Sequence, residues 1–223
     1  MYQRFPVLAR LLMMLAGWGT VGVCYSIGRH ASGQAHLLSE SVLDRLIPFD
    51  VSAVWLYLSF FAFVPISYLC ADVRRVQKLM FGMQLSGVLA AIVFVTWPTT
   101  LVYPVDASNT MSATALRLLS ANDSPQNCLP SLHGALTTLG MVALWNRHRP
   151  MRTAFSLIWA AGIMWSVLQT RRHLAIDLAS GAALGLFCAY AVACVGKRST
   201  SSGFLPGGTA ASSEIDSNME PRS

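Results

Sequence analysis

The chain has 223 residues, 54% of them hydrophobic and only 12% charged, with a formal net charge of +6. Soluble domains carry about a quarter charged residues, so a soluble core could not hide this much apolar surface behind so few charges. Disorder, a secreted disulfide scaffold, and an ordinary cytosolic enzyme are excluded as whole-chain descriptions. The basic residues sit in short clusters between apolar runs, which suits a membrane and its lipids rather than a nucleic-acid partner.

Taken in order, the apolar runs predict an all-α, polytopic membrane bundle of about six spans, each near 20 residues. They cover residues 7–27, 51–71, 79–103, 131–145, 153–170 and 175–195. Arg4 and Arg10 flank the first run, and no good small-residue cleavage pattern follows it, so it reads as a span rather than a signal peptide. Pro65 is expected to kink the second span, and Pro98 lies near the end of the third. Residues 104–130 read as a loop. After Lys197 the composition turns to Ser, Gly and Thr with a few acids. Residues 1–197 are therefore expected to form one membrane domain, and 198–223 a disordered tail. Cys24, Cys70, Cys128, Cys188 and Cys194 read as buried packing residues, not as a disulfide framework.

Six spans place both termini on one side. Arg4, Arg10, Arg74, Arg75, Lys78, Arg147, Arg149, Arg152, Lys197 and Arg198 fall on that side; Arg29, Arg45, Arg117, Arg171 and Arg172 fall in the alternate loops. The excess of Lys and Arg predicts cytoplasmic termini in the cell membrane. The segments 104–130 and 171–174 then face the outer side.

Two histidines lie at that outer face. His133 sits within Asn127-Cys128-Leu129-Pro130-Ser131-Leu132-His133-Gly134, and His173 opens the last span. His173 and Asp177 are four apart and share one helix face. An Asp there can accept one imidazole N–H, fix the tautomer and leave the other nitrogen as a nucleophile. Arg171 and Arg172 supply forked donors suited to phosphate. Pro130 and Ser131 suit a helix start, whose backbone N–H groups favour an anion. Each feature alone has a plainer reading: a structural His–Asp pair, two lipid-headgroup anchors, a chance tetrapeptide. Their convergence on one face, one apolar span apart, points to a phosphate-handling site.

Pro130-Ser131-Leu132-His133 and the stretch 166–177 resemble the second and third signature motifs of the type-2 phosphatidic acid phosphatase superfamily. The nearest flavour is the branch with the inositol phosphorylceramide synthases, where Thr170-Arg171-Arg172-His173 stands in for a Thr-Lys-Gln-His run. The resemblance covers about residues 50–195 and implies a double displacement on a lipid phosphate that needs neither metal nor cofactor. His173 would be the nucleophile and Asp177 its orienting group. His133 would be the general acid and base. Ser131 and Arg171, with Arg172 behind them, would hold the phosphate oxygens. The chain departs from the family in two places. Val167 stands where an Arg is common, and Tyr103-Pro104-Val105-Asp106 offers no base where the first motif supplies them. Arg117 is the candidate replacement.

Three functions stay open: a lipid phosphate phosphatase working through a phosphohistidine, a lipid phosphotransferase using an alcohol acceptor, and a degenerate lipid-binding membrane protein. The substrate is expected in the cleft between the fourth and sixth spans. Gly181 and Gly185 predict close helix packing. Tyr103 and Trp145 read as interface anchors. His30, His36 and His148 are isolated, and no Gly-rich nucleotide loop or zinc spacing is present.

Overall fold

The computed structural model describes residues 6–30, 34–104, 106–124 and 126–201, with side chains as far as Val195. It is a helix bundle, and five of its helical segments are long and apolar enough to cross a membrane: Val7–Arg29, Val51–Cys70, Val73–Thr96, Pro150–Gln169 and Ala175–Val195. The apolar helix Leu132–Leu144 stands where the fourth of the six expected spans was placed, but at 13 residues it is shorter than the other five.

In chain order, α1 is Val7–Arg29, β1 His36–Leu37 and α2 Val42–Leu46. A 3-10 turn at Val51–Ala53 leads into α3 (Val54–Leu58) and α4 (Phe60–Cys70). Then come α5 (Val73–Thr96), β2 (Thr99–Thr100), α6 (Met111–Asn122), α7 (Leu132–Leu144), α8 (Pro150–Gln169) and α9 (Ala175–Ser201). The second span breaks at Ser59 rather than at Pro65, which lies inside α4. The Ser59 hydroxyl donates to the Leu56 carbonyl and accepts from the Trp159 indole, so side chains satisfy the groups that the break exposes.

The third span starts and stops earlier than its hydropathy suggests. Asp72 stands at its N-cap, and Trp97, held out of the helical region at φ −143°, ψ 71° ahead of Pro98, ends it. Residues beyond Pro98 form β2, which pairs in parallel with β1 through His36↔Thr99 and Leu37↔Thr100. The segment 104–130, expected to be a loop, contains α6. Thr110 caps that helix by accepting the Ala113 N–H. Helix α9 runs four residues past Lys197, to Ser201; the rest of the expected tail, residues 202–223, lies outside the described residues.

The bundle centres on α7, which α4, α5, α8 and α9 surround. Phe63, Val64, Tyr68, Met83, Phe94 and Ile163 fill the core around it. Cys24, Cys128 and Cys188 are buried as expected, but Cys70 is exposed and Cys194 half-buried. Both lie toward the ends of apolar helices, where hydropathy does not separate an inner from an outer face.

Glycines set the closest helix contact. A Cβ on Gly181 would stand 2.1 Å from the Ser131 carbonyl oxygen, and one on Gly185 would stand 2.6 Å from that of Ala135. Gly134 answers from the other side, where a Cβ would meet the Leu178 carbonyl oxygen at 2.8 Å. Helices α7 and α9 therefore touch backbone to backbone, as small residues permit. No room is left there for the substrate cleft expected between the fourth and sixth spans.

Candidate active site

The turn between α8 and α9 presents the third-motif residues. Helix α8 ends in a Schellman arrangement: the Arg172 N–H donates to the Val167 carbonyl at 3.2 Å and the Arg171 N–H to that of Leu168 at 3.0 Å. Arg171 occupies the left-handed position at φ 53°, a place usually given to glycine. The reversal sends neighbouring side chains in different directions. The Arg171 guanidinium lies 3.2 Å from Glu40 and donates to the Ile47 carbonyl at 2.9 Å. Arg172 turns inward and is buried.

Helix α9 then starts with two carboxylates at its positive end. Asp177 accepts the Leu174 N–H at 2.9 Å, and Asp44 of α2 accepts the Ala175 N–H at 2.7 Å. Asp44 is itself fixed by a capping box with Ser41. Ser131 caps α7 by accepting the Gly134 N–H at 3.2 Å, and its own N–H donates to the Asp177 carbonyl at 3.0 Å. The cap and the glycine contact together lock the start of α7 onto the start of α9.

That lock brings the two histidines together. His133 Nδ1 lies 3.4 Å from His173 Nε2. Behind His173, Nδ1 lies 3.5 Å from Asp177 Oδ2, at ion-pair distance but without a hydrogen bond, and Asp177 Oδ1 has no partner among the described residues. His173 and Asp177 are both buried. On the far side of His133, the Tyr57 hydroxyl lies 2.8 Å from Nε2, and the Phe60 ring packs 4.8 Å from the imidazole between centroids.

Arg172 is the buried arginine of this end. It pairs with Asp123 at 2.7 Å, donates to the Ser120 hydroxyl at 2.9 Å, and lies 4.2 Å above the Tyr103 ring. Its Nε has no partner among the described residues. Tyr103 is thus a platform for Arg172 and not the interface anchor expected, because the chain folds back beyond Pro98 and carries it inward. Asp123 also accepts a hydrogen bond from Tyr25, whose hydroxyl in turn accepts the Ser124 N–H at 2.9 Å. Burial by itself would push the Asp123 carboxyl up, but Arg172, His133 and the Tyr25 hydroxyl hold it below the usual carboxylate range. Asp123 in turn keeps Arg172 charged against its burial.

Ser131, His133, Arg172, His173 and Asp177 thus gather at one end of the bundle, while Arg171 leaves toward Glu40. Arg117 does not join them: its guanidinium donates to the Asp106 and Ser108 carbonyls and fastens an exposed loop. Val167 is fully buried in the apolar core, so its position has no opening for a base. Sequence reasoning missed Tyr57, Asp123, Asp44 and Tyr25. Of these only Asp44 carries a local signal, the Ser41-x-x-Asp44 capping pattern.

Access to His133 comes from the α1 side. A cavity of about 220 Å³ has apolar walls that include Trp18, Phe60, Phe61 and Leu136, and a polar end formed by Tyr25, Tyr57, Asp123 and His133.

Residues 34–191 match the family model described as the PAP2 superfamily. No curated protein and no solved structure matches the chain.

Proposed function

The chain belongs to the PAP2 superfamily, and on that premise we propose that it cleaves a phosphate ester of a membrane lipid through a phosphohistidine on His173. The observation that carries this reading is the series Asp177, His173, His133, Tyr57, ending at the polar floor of an apolar-walled cavity. His173 Nε2 attacks phosphorus, and the bond to the lipid oxygen breaks. His133 Nδ1 gives its proton to the departing alkoxide. Asp177 holds the charge that develops on the His173 ring. The phosphate takes the place of the direct contact between the two rings.

In the second half, His133 Nδ1 removes a proton from water, whose oxygen attacks phosphorus and frees His173. His133 starts the first half as the imidazolium, so Nε2 keeps its proton after Nδ1 gives one up, and the Tyr57 hydroxyl accepts from Nε2–H in both halves. Arg172 is better placed than Arg171 to meet the phosphate oxygens, because it is buried in the network that includes Asp123 and His133. The Ser131 hydroxyl serves first as the α7 cap.

A second reading, transfer to a lipid alcohol, draws support from the cavity walls: an acceptor arriving on an apolar tail reaches the same base that water would. The charge distribution supports an outward-facing site. Among the described residues, Arg10, Arg74, Arg75, Lys78, Arg147, Arg149 and Arg152 lie at the end opposite the histidines, against Arg29, Arg45, Arg117, Arg171 and Arg172 at the histidine end.

The test is turnover of a radiolabelled lipid phosphate by purified protein, with and without added lipid alcohols. H173A and H133A are expected to abolish it, and quenching of the wild type in alkaline SDS, where a phosphohistidine survives, should trap label on His173. Free phosphate identifies the hydrolase, and a labelled lipid product identifies the transferase. Undiminished turnover in both variants defeats the mechanism, and no turnover with no trapped label leaves a lipid-binding protein.

A further inference from the structure

At the end of the bundle remote from the histidines, α5, α7 and α9 enclose a groove of about 320 Å³. Its floor is apolar, with Leu79 and Leu139 on one side and the small Ala189 and Ala193 of α9 making room on the other. Its mouth carries Arg75, Lys78 and Trp145.

Two other basic groups of this end, Arg10 and Arg152, have structural partners. The Arg10 guanidinium donates to the carbonyls of Tyr68, Leu69 and Ala71, and that of Arg152 to those of Cys70 and Leu144. They satisfy helix C-termini that would otherwise end in unpaired carbonyls. Lys78 makes no hydrogen bond or ion pair with any described residue, and Arg75 reaches only Asp72, at 3.9 Å. Asp72 is half exposed and also accepts from the Asn146 amide. The mouth therefore keeps a positive excess directly beside a hydrocarbon-lined floor. An amphiphile with an anionic head matches both parts.

We propose that this groove binds an anionic phospholipid, with its phosphate between Arg75 and Lys78 and one acyl chain running past Ala189 and Ala193. The site is distinct from the histidine cavity. His133 and Trp145 lie at opposite ends of α7, about 18 Å apart along the helix axis, so the proposal does not rest on the catalytic reading.

Photolabelling tests it. The full chain is reconstituted in phosphatidylcholine vesicles holding a trace of phosphatidylglycerol, or of phosphatidylcholine, with a diazirine in the acyl chain, and adducts are mapped by peptide mass spectrometry. The phosphatidylglycerol probe should label residues 139–145 and 189–193 several-fold more than its zwitterionic counterpart. R75Q/K78Q should remove that excess, and R74Q, a neighbouring charge that does not line the groove, should keep it. A193W, which fills the floor, should lower labelling by both probes. Equal labelling by the two lipids, an unchanged R75Q/K78Q, or an equal loss in R74Q overturns the proposal. So does full competition by inorganic phosphate, which would assign the mouth to a free anion. Adducts confined to the α1 side, near Trp18 and Phe61, would also sink it while leaving the histidine site untouched.

Discussion

The two ends of the bundle use the same residue types for opposite purposes. At one end Arg10 and Arg152 point back onto helix carbonyls, and Asp72 is the only described carboxylate. Their guanidiniums work locally, on the termini of α4 and α7. At the other end Arg172 is buried and paired with the largely buried carboxylate of Asp123, and its neighbours come from α1, α6 and the segment after β2. An arginine that caps a carbonyl can be lost at modest cost, because water can replace it. A buried ion pair cannot lose one member without leaving the other uncompensated. The histidine end is therefore the brittle end, and its charges are fixed in place before any substrate arrives.

The sharpest way to break that comparison is to remove one partner from each end. D123A leaves Arg172 buried and unpaired and should cost about 3–5 kcal/mol. R10Q should cost only about 1–2 kcal/mol through weaker hydrogen bonds. Chemical denaturation in detergent measures both, and equal losses would erase the distinction. The pH dependence has a definite sign. Because Arg172 holds Asp123 below the ordinary carboxylate value, the pair stabilises the fold above about pH 4, and that contribution is lost as acid carries the pH down through the folded-state value. D123N should lack this part of the acid transition.

A second pair of substitutions compares a glycine at the α7–α9 contact with one facing outward. G181A drives a methyl group into the Ser131 carbonyl and should cost about 1–3 kcal/mol. It should also reduce turnover, since moving α7 off α9 moves His133 away from His173. At Gly19 an added Cβ meets nothing within 4 Å, so G19A should stabilise α1 by up to about 1 kcal/mol. Thermal melts and turnover together check both. A turnover loss in G181A without a stability loss would mean that the contact is not what holds the rings together.

The same contrast explains what the sequence made legible. Hydropathy marks spans because lipid leaves backbone groups no partner outside a helix, and the spacing of Gly181 and Gly185 marks their closest approach. The pairing of His133 with His173 followed from two motifs and a charge count. Helix α6 was hidden because its apolar content is too low to read as a span. Tyr57 was hidden because a tyrosine in an apolar run is indistinguishable from packing, and nothing in its neighbours reports a histidine seventy-six positions away. Asp123 was hidden because a ring platform and an arginine that follow or precede it at long range give it its meaning.

Asp177 gives a smaller effect that separates two jobs. Its carboxylate caps α9 through the Leu174 N–H and faces His173. D177N keeps an acceptor for the cap, so its stability should stay close to wild type, while D177A should lose about 1 kcal/mol. Turnover should fall in both variants, because neither can hold a positive imidazolium. Normal turnover in D177N would reduce Asp177 to a cap.

The smallest expected change lies one residue from the most sensitive pair. Arg171 holds a left-handed backbone conformation that costs a non-glycine residue about 1–2 kcal/mol, and its side chain returns a surface ion pair with Glu40 worth about 0–1 kcal/mol. R171G relieves the first and forfeits the second, along with the bond to the Ile47 carbonyl, so its stability should change by less than about 1 kcal/mol. The Schellman turn that aims Arg172 and His173 uses only backbone groups at position 171 and survives the change. Turnover in R171G should therefore stay within a few-fold of wild type, whereas R172Q should lose most of it. A collapse of activity in R171G with an intact fold would return Arg171 to the phosphate and show that backbone direction alone does not divide the labour of the two arginines.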